Sequence, residues 1–182
     1  MSFSYAPVQT ERLILRPWHP SDEERLITLS AQEHIEHWLP DWRDYHKHAK
    51  GWIEMVISHY AINNPLENFL SWAIVLPQTN TLIGQIGLGD FDALGEKELS
   101  VGYWMDSAHT RYGYTTEAAN TVAQIAFTRY GYDHIIATIE PENIPSRRVV
   151  EKAGFTYRQM VVFQETDMPE PRSFCYYRRE AN

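Results

Sequence analysis

The 182-residue sequence is poor in cysteine, and Cys175 is the single one. One cysteine excludes a disulfide within the chain and a zinc site built on several thiolates, and it fits a reducing compartment. Basic residues are also outnumbered, because 16 Lys and Arg stand against 24 Asp and Glu, which gives a net charge of −8. An acidic chain suits a nucleic-acid backbone poorly, so we expect no nucleic acid among its partners.

Long apolar runs are missing as well. No stretch approaches the roughly 20 apolar residues that a membrane-spanning helix requires. The first residues, Met1 to Pro7, lack the basic and apolar regions of a secretory signal. We therefore expect a cytoplasmic protein without membrane contact. A hydrophobic fraction of 43% with 22% charged residues is typical of packed globular proteins, and the length indicates one domain over residues 1–182.

Hydrophobic periodicity predicts about seven strands and four helices, in the order strand, two helices, three strands, helix, strand, helix, two strands. This order favours an α/β (α+β) chain with a mixed, mostly antiparallel sheet and helices on both faces. The strands are predicted near residues 12–16, 69–76, 82–88, 98–105, 134–139, 155–163 and 172–179. The helices are predicted after Ser21, from about His46 to Ile62, along the apolar stripe Ala118–Ala126, and from about Ile144 to Ala153.

The segment from Tyr103 to Ala118 leads from a strand, through a loop, into the longest predicted helix. At a helix start several backbone N–H groups have no intrahelical partner, and the helix dipole is positive there. Gly113 lacks a Cβ, so a bulky anion such as a pyrophosphate can approach the main chain. With one glycine and no Gly-Lys-Ser/Thr, the loop is neither a Walker loop nor a dinucleotide fingerprint. An ordinary strand–helix turn is the alternative interpretation.

Three motifs in register point to a family. They read Val-Gly-Tyr-Trp-Met at 101–105, Arg-Tyr-Gly-Tyr-Thr-Thr-Glu-Ala at 111–118, and Asn-Ile-Pro-Ser followed by Glu-Lys-Ala-Gly-Phe within 143–155. Together they resemble the GNAT superfamily of acyl-CoA-dependent N-acetyltransferases. The resemblance is strongest to the RimJ/RimL-type branch of ribosomal-protein N-terminal acetyltransferases, and it extends from Thr-Glu-Arg-Leu at 10–13 to the last strand.

The resemblance implies a single GNAT-like domain with splayed central strands. It also implies acetyl-CoA as co-substrate, no metal, and transfer of the acetyl group to a primary amine, with a protein N-terminal α-amine as one candidate. The assembly would be a monomer or a homodimer. A small-molecule amine such as a polyamine, an amino acid or an aminoglycoside is an alternative acceptor. A non-catalytic acyl-CoA-binding module is a further alternative.

The resemblance also implies roles for particular residues. Backbone N–H groups of 111–116 would hold the coenzyme A pyrophosphate, and the pantetheine arm would lie between the strand ending at 103–105 and the strand 134–140. Asn143 would hydrogen-bond the pantetheine, and Ser146 would lie near the thioester sulfur. Arg111, Arg147, Arg148 and Lys152 are candidates for the nucleotide phosphates. The cofactor-binding set is Tyr103, Trp104, Met105, Arg111, Tyr112, Gly113, Tyr114, Thr115, Thr116, Asn143, Ser146 and Arg148.

The sequence departs from the family pattern at several positions. Thr110 and Thr115 replace the usual Gln/Arg and Gly/Ala of the loop, although backbone donation does not depend on those side chains. Val150 stands where many members place a tyrosine as general acid, and the resembled branch also lacks that tyrosine. Ser100 stands where the branch often has a glutamate.

Acyl transfer to an amine needs a neutral amine, a polarised carbonyl and a proton for the leaving thiolate. Glu98 is the first candidate for the base, because strand alternation places it on the same face as Ser100. Glu140 and Glu165 are second candidates, and a base acting through water is another. Ser146 is the candidate near the leaving group. Each has a structural alternative, an exposed strand-end carboxylate for Glu98 and a hydroxyl bonded to its own helix for Ser146.

Two other residue types invite a functional interpretation. The histidine pairs His34/His37 and His46/His48 have no third ligand at a recognisable spacing, so we predict no metal site. Four tryptophans are dense around the two early helices, where they would form core or line an aromatic acceptor pocket. They are Trp38, Trp42, Trp52 and Trp72.

Overall fold

One mixed sheet runs through the described part of the chain, which in this computed structural model comprises residues 5–39, 42, 44, 47–164 and 168–181. Its eight strands lie in the order β1-β2-β3-β4-β5-β6-β8-β7. Neighbouring strands are antiparallel except β5 and β6, which are parallel. The strands are β1 (Val8–Gln9), β2 (Ile14–Arg16), β3 (Leu70–Leu76), β4 (Thr81–Phe91), β5 (Glu98–Met105), β6 (His134–Ile139), β7 (Thr156–Phe163) and β8 (Arg172–Glu180).

Helices cover both faces of the sheet. They are α1 (Glu23–Ser30), α2 (Glu33–Trp38), α3 (Ala49–Ile62), α4 (Tyr114–Thr128) and α5 (Ile144–Lys152). The apolar sides of α4 and α5 join the largest core cluster on one face. The helices α1 to α3 pack around Trp18 and Trp104 on the opposite face. No helix in the described ranges is both long enough and apolar enough to cross a bilayer.

The central strands β5 and β6 separate almost at once. Their parallel ladder consists of the one pair Ser100 and Ile136 in the described chain. Beyond this pair, the backbone groups of residues 101–105 that face β6 have no ladder partner. The splayed central strands and the mixed sheet with helices on both faces are therefore confirmed.

Local details differ from the predicted elements. The sheet has one strand more than predicted, because β1 is only two residues long and leaves no periodic signal. The short helix α2 was not predicted, since only Ile35 of its six residues is fully buried. Helix α3 begins at Ala49, and His46, the predicted start, lies outside the described residues.

Ser21 does not begin the first helix as the sequence pattern suggests. Residues Pro20–Asp22 form a short 3-10 turn, and α1 starts at Glu23. The carboxylate of Asp22 closes this turn by accepting the N–H of His19 at 2.8 Å, and it pairs with Arg16 at 2.7 Å. Asp22 is the N-cap residue of α1, but its carboxylate serves the preceding turn and makes no capping hydrogen bond to α1.

Candidate active site

The separation of β5 and β6 opens a cleft of about 380 Å³ between the two strands. Both sets of alternating β5 side chains line it: Val101 and Tyr103 face α4 and α5, and Ser100 and Gly102 face the other way. Because residues of both faces line one cleft, the cleft passes through the sheet. Two substrates can therefore approach its centre from opposite sides.

The half of the cleft beside α5 carries unused polar groups. The N–H of Ser146 donates to the Asn143 side-chain oxygen at 3.2 Å, which caps α5. The Tyr103 hydroxyl donates to the Ser146 carbonyl at 3.1 Å, and burial raises the pKa of that hydroxyl. The Asn143 amide nitrogen makes no hydrogen bond to another described residue, whereas the Ser146 hydroxyl interacts with the Tyr103 hydroxyl and thereby opposes the rise of its pKa. Both line the cleft, so both can meet a ligand there.

The loop before α4 has the geometry of an anion cradle. Arg111 and Gly113 have φ angles of 68° and 82°, in the left-handed region that non-glycine residues rarely adopt. The first helical hydrogen bond runs from the Glu117 N–H to the Gly113 carbonyl at 3.0 Å. The N–H groups of residues 114–116 therefore precede the ladder and have no intrahelical partner. Such a helix start suits a phosphate or pyrophosphate.

The far end of this loop is anchored by Glu117, in the first turn of α4. Its carboxylate accepts hydrogen bonds from the Thr10 hydroxyl at 2.5 Å, the Arg12 N–H at 2.8 Å and the Arg12 Nε at 2.7 Å. Arg12 also donates to the Tyr112 carbonyl at 2.8 Å, and its guanidinium lies 5.1 Å from the centre of the Tyr114 ring. Burial alone would raise the Glu117 pKa, but these hydrogen bonds and the Arg12 charge hold it below its ordinary value.

The near end of the loop is anchored by Asp106, which is only 5% exposed. Its carboxylate binds Arg25 at 2.6 Å, Gln32 at 2.9 Å and His109 at 3.1 Å. Burial opposes ionisation, yet hydrogen bonds led by that of Gln32 keep the Asp106 pKa below its ordinary value. The loop is thus fixed at both ends to the first third of the chain. Sequence analysis missed both anchors, although Thr-Glu-Arg-Leu at 10–13 had marked the segment that supplies one of them.

Not all predicted cofactor residues reach the cleft. Of the strand-end residues, the Tyr103 side chain lines it. The Trp104 ring packs 5.3 Å from Trp42 in the core on the opposite face. Met105 is buried, and its carbonyl oxygen lies 2.9 Å from the His34 Nε2. Backbone groups alternate along a strand, and the Asp106 N–H donates to Ile83 beside β4, so the Trp104 backbone faces β4 and the Met105 backbone faces the side of β6.

The basic candidates divide into two kinds. Arg111 and Arg148 are exposed, and in the described chain neither forms an ion pair. Arg147 instead donates to the Tyr177 hydroxyl at 3.0 Å and to the Pro141 carbonyl at 3.1 Å, so it ties α5 to the sheet. The exposed pair is therefore better placed to meet a nucleotide phosphate than Arg147.

The three candidate bases lie in different places. Glu98 does not line the cleft; it accepts the Tyr176 hydroxyl at 2.7 Å and lies 3.3 Å from the His134 Nε2. Burial, with this hydrogen bond to Glu98, raises the pKa of Tyr176 to about 12. Glu140 does line the cleft, but it pairs with Arg172 at 2.8 Å. Glu165 lies outside the described residues.

The half of the cleft on the α2 side is mainly apolar. Its ring walls are partly rigid, because Phe163 stacks on Phe174 at 4.2 Å and meets Phe91 edge-on at 5.1 Å. Gly102 keeps the centre open, since an added Cβ would meet no atom within 4 Å. The apolar lining residues are Trp38, Leu39, Phe69, Phe91, Met168 and Phe174.

Of the four tryptophans singled out in the sequence, only Trp38 lines this cleft among the described residues. Trp52 and Trp72 are buried in the core, and Trp42 packs against Trp52 and Trp104. Trp38 therefore fits the interpretation as part of a pocket wall, whereas Trp52 and Trp72 fit the interpretation as core residues.

A sheet split between two parallel strands, with a helix start at one side and a second pocket on the other face, is the architecture of an acyl-CoA-dependent N-acyltransferase. The family model described as an acetyltransferase (GNAT) domain matches residues 12–156. The chain therefore belongs to the GNAT family of N-acetyltransferases. Among the described residues, no group of three or more His, Cys, Asp or Glu side chains is placed to hold a metal ion.

Individual relatives agree with this assignment. The N-acetyltransferase YnaD of Bacillus subtilis is 26% identical over 147 residues, which cover 81% of each chain. The structure of Mycobacterium smegmatis RimJ in complex with CoA-disulfide is 25% identical, with a TM-score of 0.76 over 93% of this chain and 82% of that one. The ribosomal-protein-S5-alanine acetyltransferase of Vibrio fischeri shares the fold, with 17% identity, a TM-score of 0.77 and 96% of each chain covered. The resemblance to the RimJ/RimL-type branch is confirmed.

Proposed function

We propose that this chain transfers an acetyl group from acetyl-CoA to a primary amine, and that an α-amine is the acceptor the site serves best. The observation that carries the proposal is the cleft through the sheet. One half of it is an apolar pocket, and the unpaired backbone amides of residues 114–116 lie outside the cleft lining, at the start of α4, which packs against β5. We also propose that residues 1–182 act as one domain, because the same sheet takes strands from Val8 to Glu180.

The residues of the first half fit acetyl-CoA. The backbone amides of residues 111–116 can donate to an anion, and Gly113 has no side chain that would block its approach. The exposed Arg111 and Arg148 add positive charge. The free amide nitrogen of Asn143 suits the carbonyl groups of a pantetheine arm in the gap between β5 and β6. When bound, acetyl-CoA supplies an acetyl group already activated as a thioester.

The remaining groups define how the chain would assist transfer. Backbone N–H groups of residues 101–105 that face the gap can stabilise a carbonyl oxygen that gains negative charge. The Ser146 hydroxyl holds a proton at Oγ on the side of the cleft where the thiolate would leave. This hydroxyl interacts with the hydroxyl of Tyr103, and both residues line the cleft.

The state of the carboxylates favours an α-amine over a lysine side chain. Glu140 is paired with Arg172, and Glu98 lies off the cleft, so neither is a strong free base at its centre. An α-amine has a pKa of about 7.7–8.0 against about 10.4 for lysine. An α-amine is therefore substantially neutral near pH 7.5 and needs little help from a base.

The test is release of free coenzyme A from acetyl-CoA across a panel of primary amines, combined with equilibrium binding of coenzyme A. Release with an α-amine above the background hydrolysis rate is the expected result. Binding of coenzyme A without release on any amine would instead indicate an acyl-CoA-binding module. Absence of coenzyme A binding would overturn the proposal altogether.

A further inference from the structure

The apolar half of the cleft is shaped for a flat or bulky group. Phe174 is held by its stack on Phe163, and the Phe69 ring packs over the glycines Gly87 and Gly89. Trp38, at the end of α2, forms part of the lining with its ring partly exposed. These side chains are already fixed by the protein, so an apolar ligand group can pack against them at little entropic cost.

The charges of the same half do not suit a polycation. The two carboxylates in the lining are Asp90, which pairs with Lys97 at 3.3 Å, and Glu140, which pairs with Arg172 at 2.8 Å. Each negative charge is thus already matched by a cation. A polyamine or aminoglycoside brings several ammonium groups, and burying them needs unpaired carboxylates that the described lining does not provide.

Arg172 adds a polar requirement of its own. Its guanidinium donates one hydrogen bond, from Nη1 to the Glu140 carboxylate, and the side chain is 33% exposed. The Nε of Arg172 has no hydrogen-bond partner in the described chain. This Nε is buried, and one Nη1 hydrogen is given to Glu140, so the remaining Nη hydrogens are the donors left for a carbonyl or carboxylate oxygen. In an amino acid or a peptide, the carbon next to the one that bears the α-amine carries such an oxygen. A polyamine has no such oxygen.

We propose that the acceptor is an α-amine whose own carbon carries a bulky apolar or aromatic side chain, with its carbonyl or carboxylate oxygen directed to Arg172. The inference rests on the proposed acetyl transfer and specifies its acceptor. The α-amine chemistry is shared by a free amino acid and by the first residue of a peptide, and the experiment separates these two sources.

The first experiment compares kcat/KM for six acceptors with acetyl-CoA held constant. They are L-phenylalanine, Phe-Ala-amide, Leu-Ala-amide, Gly-Ala-amide, spermidine and kanamycin. We expect the Phe and Leu acceptors to exceed Gly-Ala-amide, spermidine and kanamycin by roughly tenfold or more. Comparison of L-phenylalanine with Phe-Ala-amide then shows whether the source is an amino acid or a peptide.

The second experiment uses the variant Trp38→Ala, with Tyr157→Ala as its matched control. Both positions carry an aromatic ring, but Tyr157 is 44% exposed on β7 and does not line the cleft. Trp38→Ala should reduce the ratio of kcat/KM for Phe-Ala-amide to that for Gly-Ala-amide by about tenfold, while Tyr157→Ala leaves it unchanged. The affinity for Phe-Ala-amide in the absence of acetyl-CoA, measured by calorimetry, should fall in Trp38→Ala and stay unchanged in Tyr157→Ala.

The outcomes separate this inference from the proposed function. Efficient use of Gly-Ala-amide, spermidine or kanamycin, with poor use of the apolar acceptors, would overturn the inference and leave acetyl transfer standing. An equal loss for every acceptor in Trp38→Ala would also overturn it, because that result indicates a structural role. Failure of all six amines, despite binding of coenzyme A, would overturn acetyl transfer and the inference together.

Discussion

The two halves of the cleft are built on different principles. The half beside α5, with the loop before α4, is the part we propose for the cofactor, and it depends on backbone: amides at the start of α4, a loop with two left-handed residues, and carboxylates that hold the loop at Asp106 and Glu117. The acceptor half depends on side chains, chiefly aromatic rings drawn from α2 and several strands. Backbone recognition tolerates substitutions such as Thr110 and Thr115, whereas side-chain recognition changes with every substitution. One fold can therefore keep its cofactor while its acceptor changes.

The largest effect should come from Gly113→Asp in the cofactor half. A Cβ at this position would lie 3.4 Å from the Arg12 Nη2, and the added carboxylate brings a negative charge into the loop proposed to hold the pyrophosphate, so repulsion should weaken coenzyme A binding at least about 100-fold. Gly95→Asp is the control, because Gly95 also has a positive φ, of 92°, and open space around its Cα, but lies in the turn between β4 and β5. Calorimetry of coenzyme A binding decides; equal affinities for the two variants would show that the loop is misassigned.

The next largest effect should come from Gly102→Val, at the junction of the two halves. A Cβ at this strand position meets nothing within 4 Å, so valine is compatible with the fold but occupies the cleft. We expect kcat/KM to fall roughly 30-fold, with thermal stability unchanged and coenzyme A affinity within about threefold. Gly102→Ala should give a smaller loss. Full activity in both variants would place the reaction centre elsewhere.

Ser146→Ala should affect turnover more than binding. The hydroxyl lies in the cleft lining, where it interacts with the hydroxyl of Tyr103, and its removal leaves the cap between the Ser146 N–H and Asn143 in place. We expect kcat to fall roughly tenfold while the Kd of coenzyme A stays constant. Ser58→Ala on α3 serves as control, since that hydroxyl bonds the Met55 carbonyl on an exposed helix. An unaltered kcat would remove Ser146 from the mechanism.

The smallest effect should come from Glu117→Gln, which weakens a loop anchor without touching the cleft lining. We expect a few-fold loss of affinity for acetyl-CoA and no change for acetylpantetheine, which lacks the pyrophosphate. A loss with both compounds would contradict a role confined to the loop.

The same variant has a pH signature. The Glu117 pKa in the folded chain lies below its ordinary value of 4.5, so the folded carboxyl binds its proton more weakly than the unfolded one. Protonation therefore favours unfolding, and this stabilisation is present above pH 4.5 and is lost as the pH falls through the folded pKa. Glu117→Gln should show a shallower decline of unfolding free energy below pH 4.5 in denaturant titrations.

The sequence predicted the features that depend on neighbouring residues. Strand periodicity identified β5 and β6, and the pattern around Gly113 identified the helix start with free amides, because both features are set within a few residues. Ser146 and Asn143, at the start of α5, both line the cleft, and their contacts with a pantetheine and a thioester stay a prediction. The side chains of Trp104 and Met105 do not line the cleft, because the pleat of β5 turns Trp104 to the opposite face and Met105 is buried in the core with α4.

Long-range contacts were outside the reach of the sequence. The bond between Arg12 and Glu117 joins residues 105 positions apart, and that between Arg25 and Asp106 joins residues 81 apart. The position of Glu98 off the cleft follows from its pairing with Tyr176, on a strand near the other end of the chain. Nothing in the local pattern of either residue specifies such a partner.

By itself, the amino-acid sequence determined most of the elements, the helix start with free backbone amides and the family, because short-range patterns of polarity, glycine and capping residues encode them. The tertiary structure alone decided which carboxylates are free, how the loop is anchored and what surrounds the acceptor. The physical reason is that a pocket assembled from Trp38, Phe69 and Phe174 exists only once the sheet has brought distant segments within contact of one another.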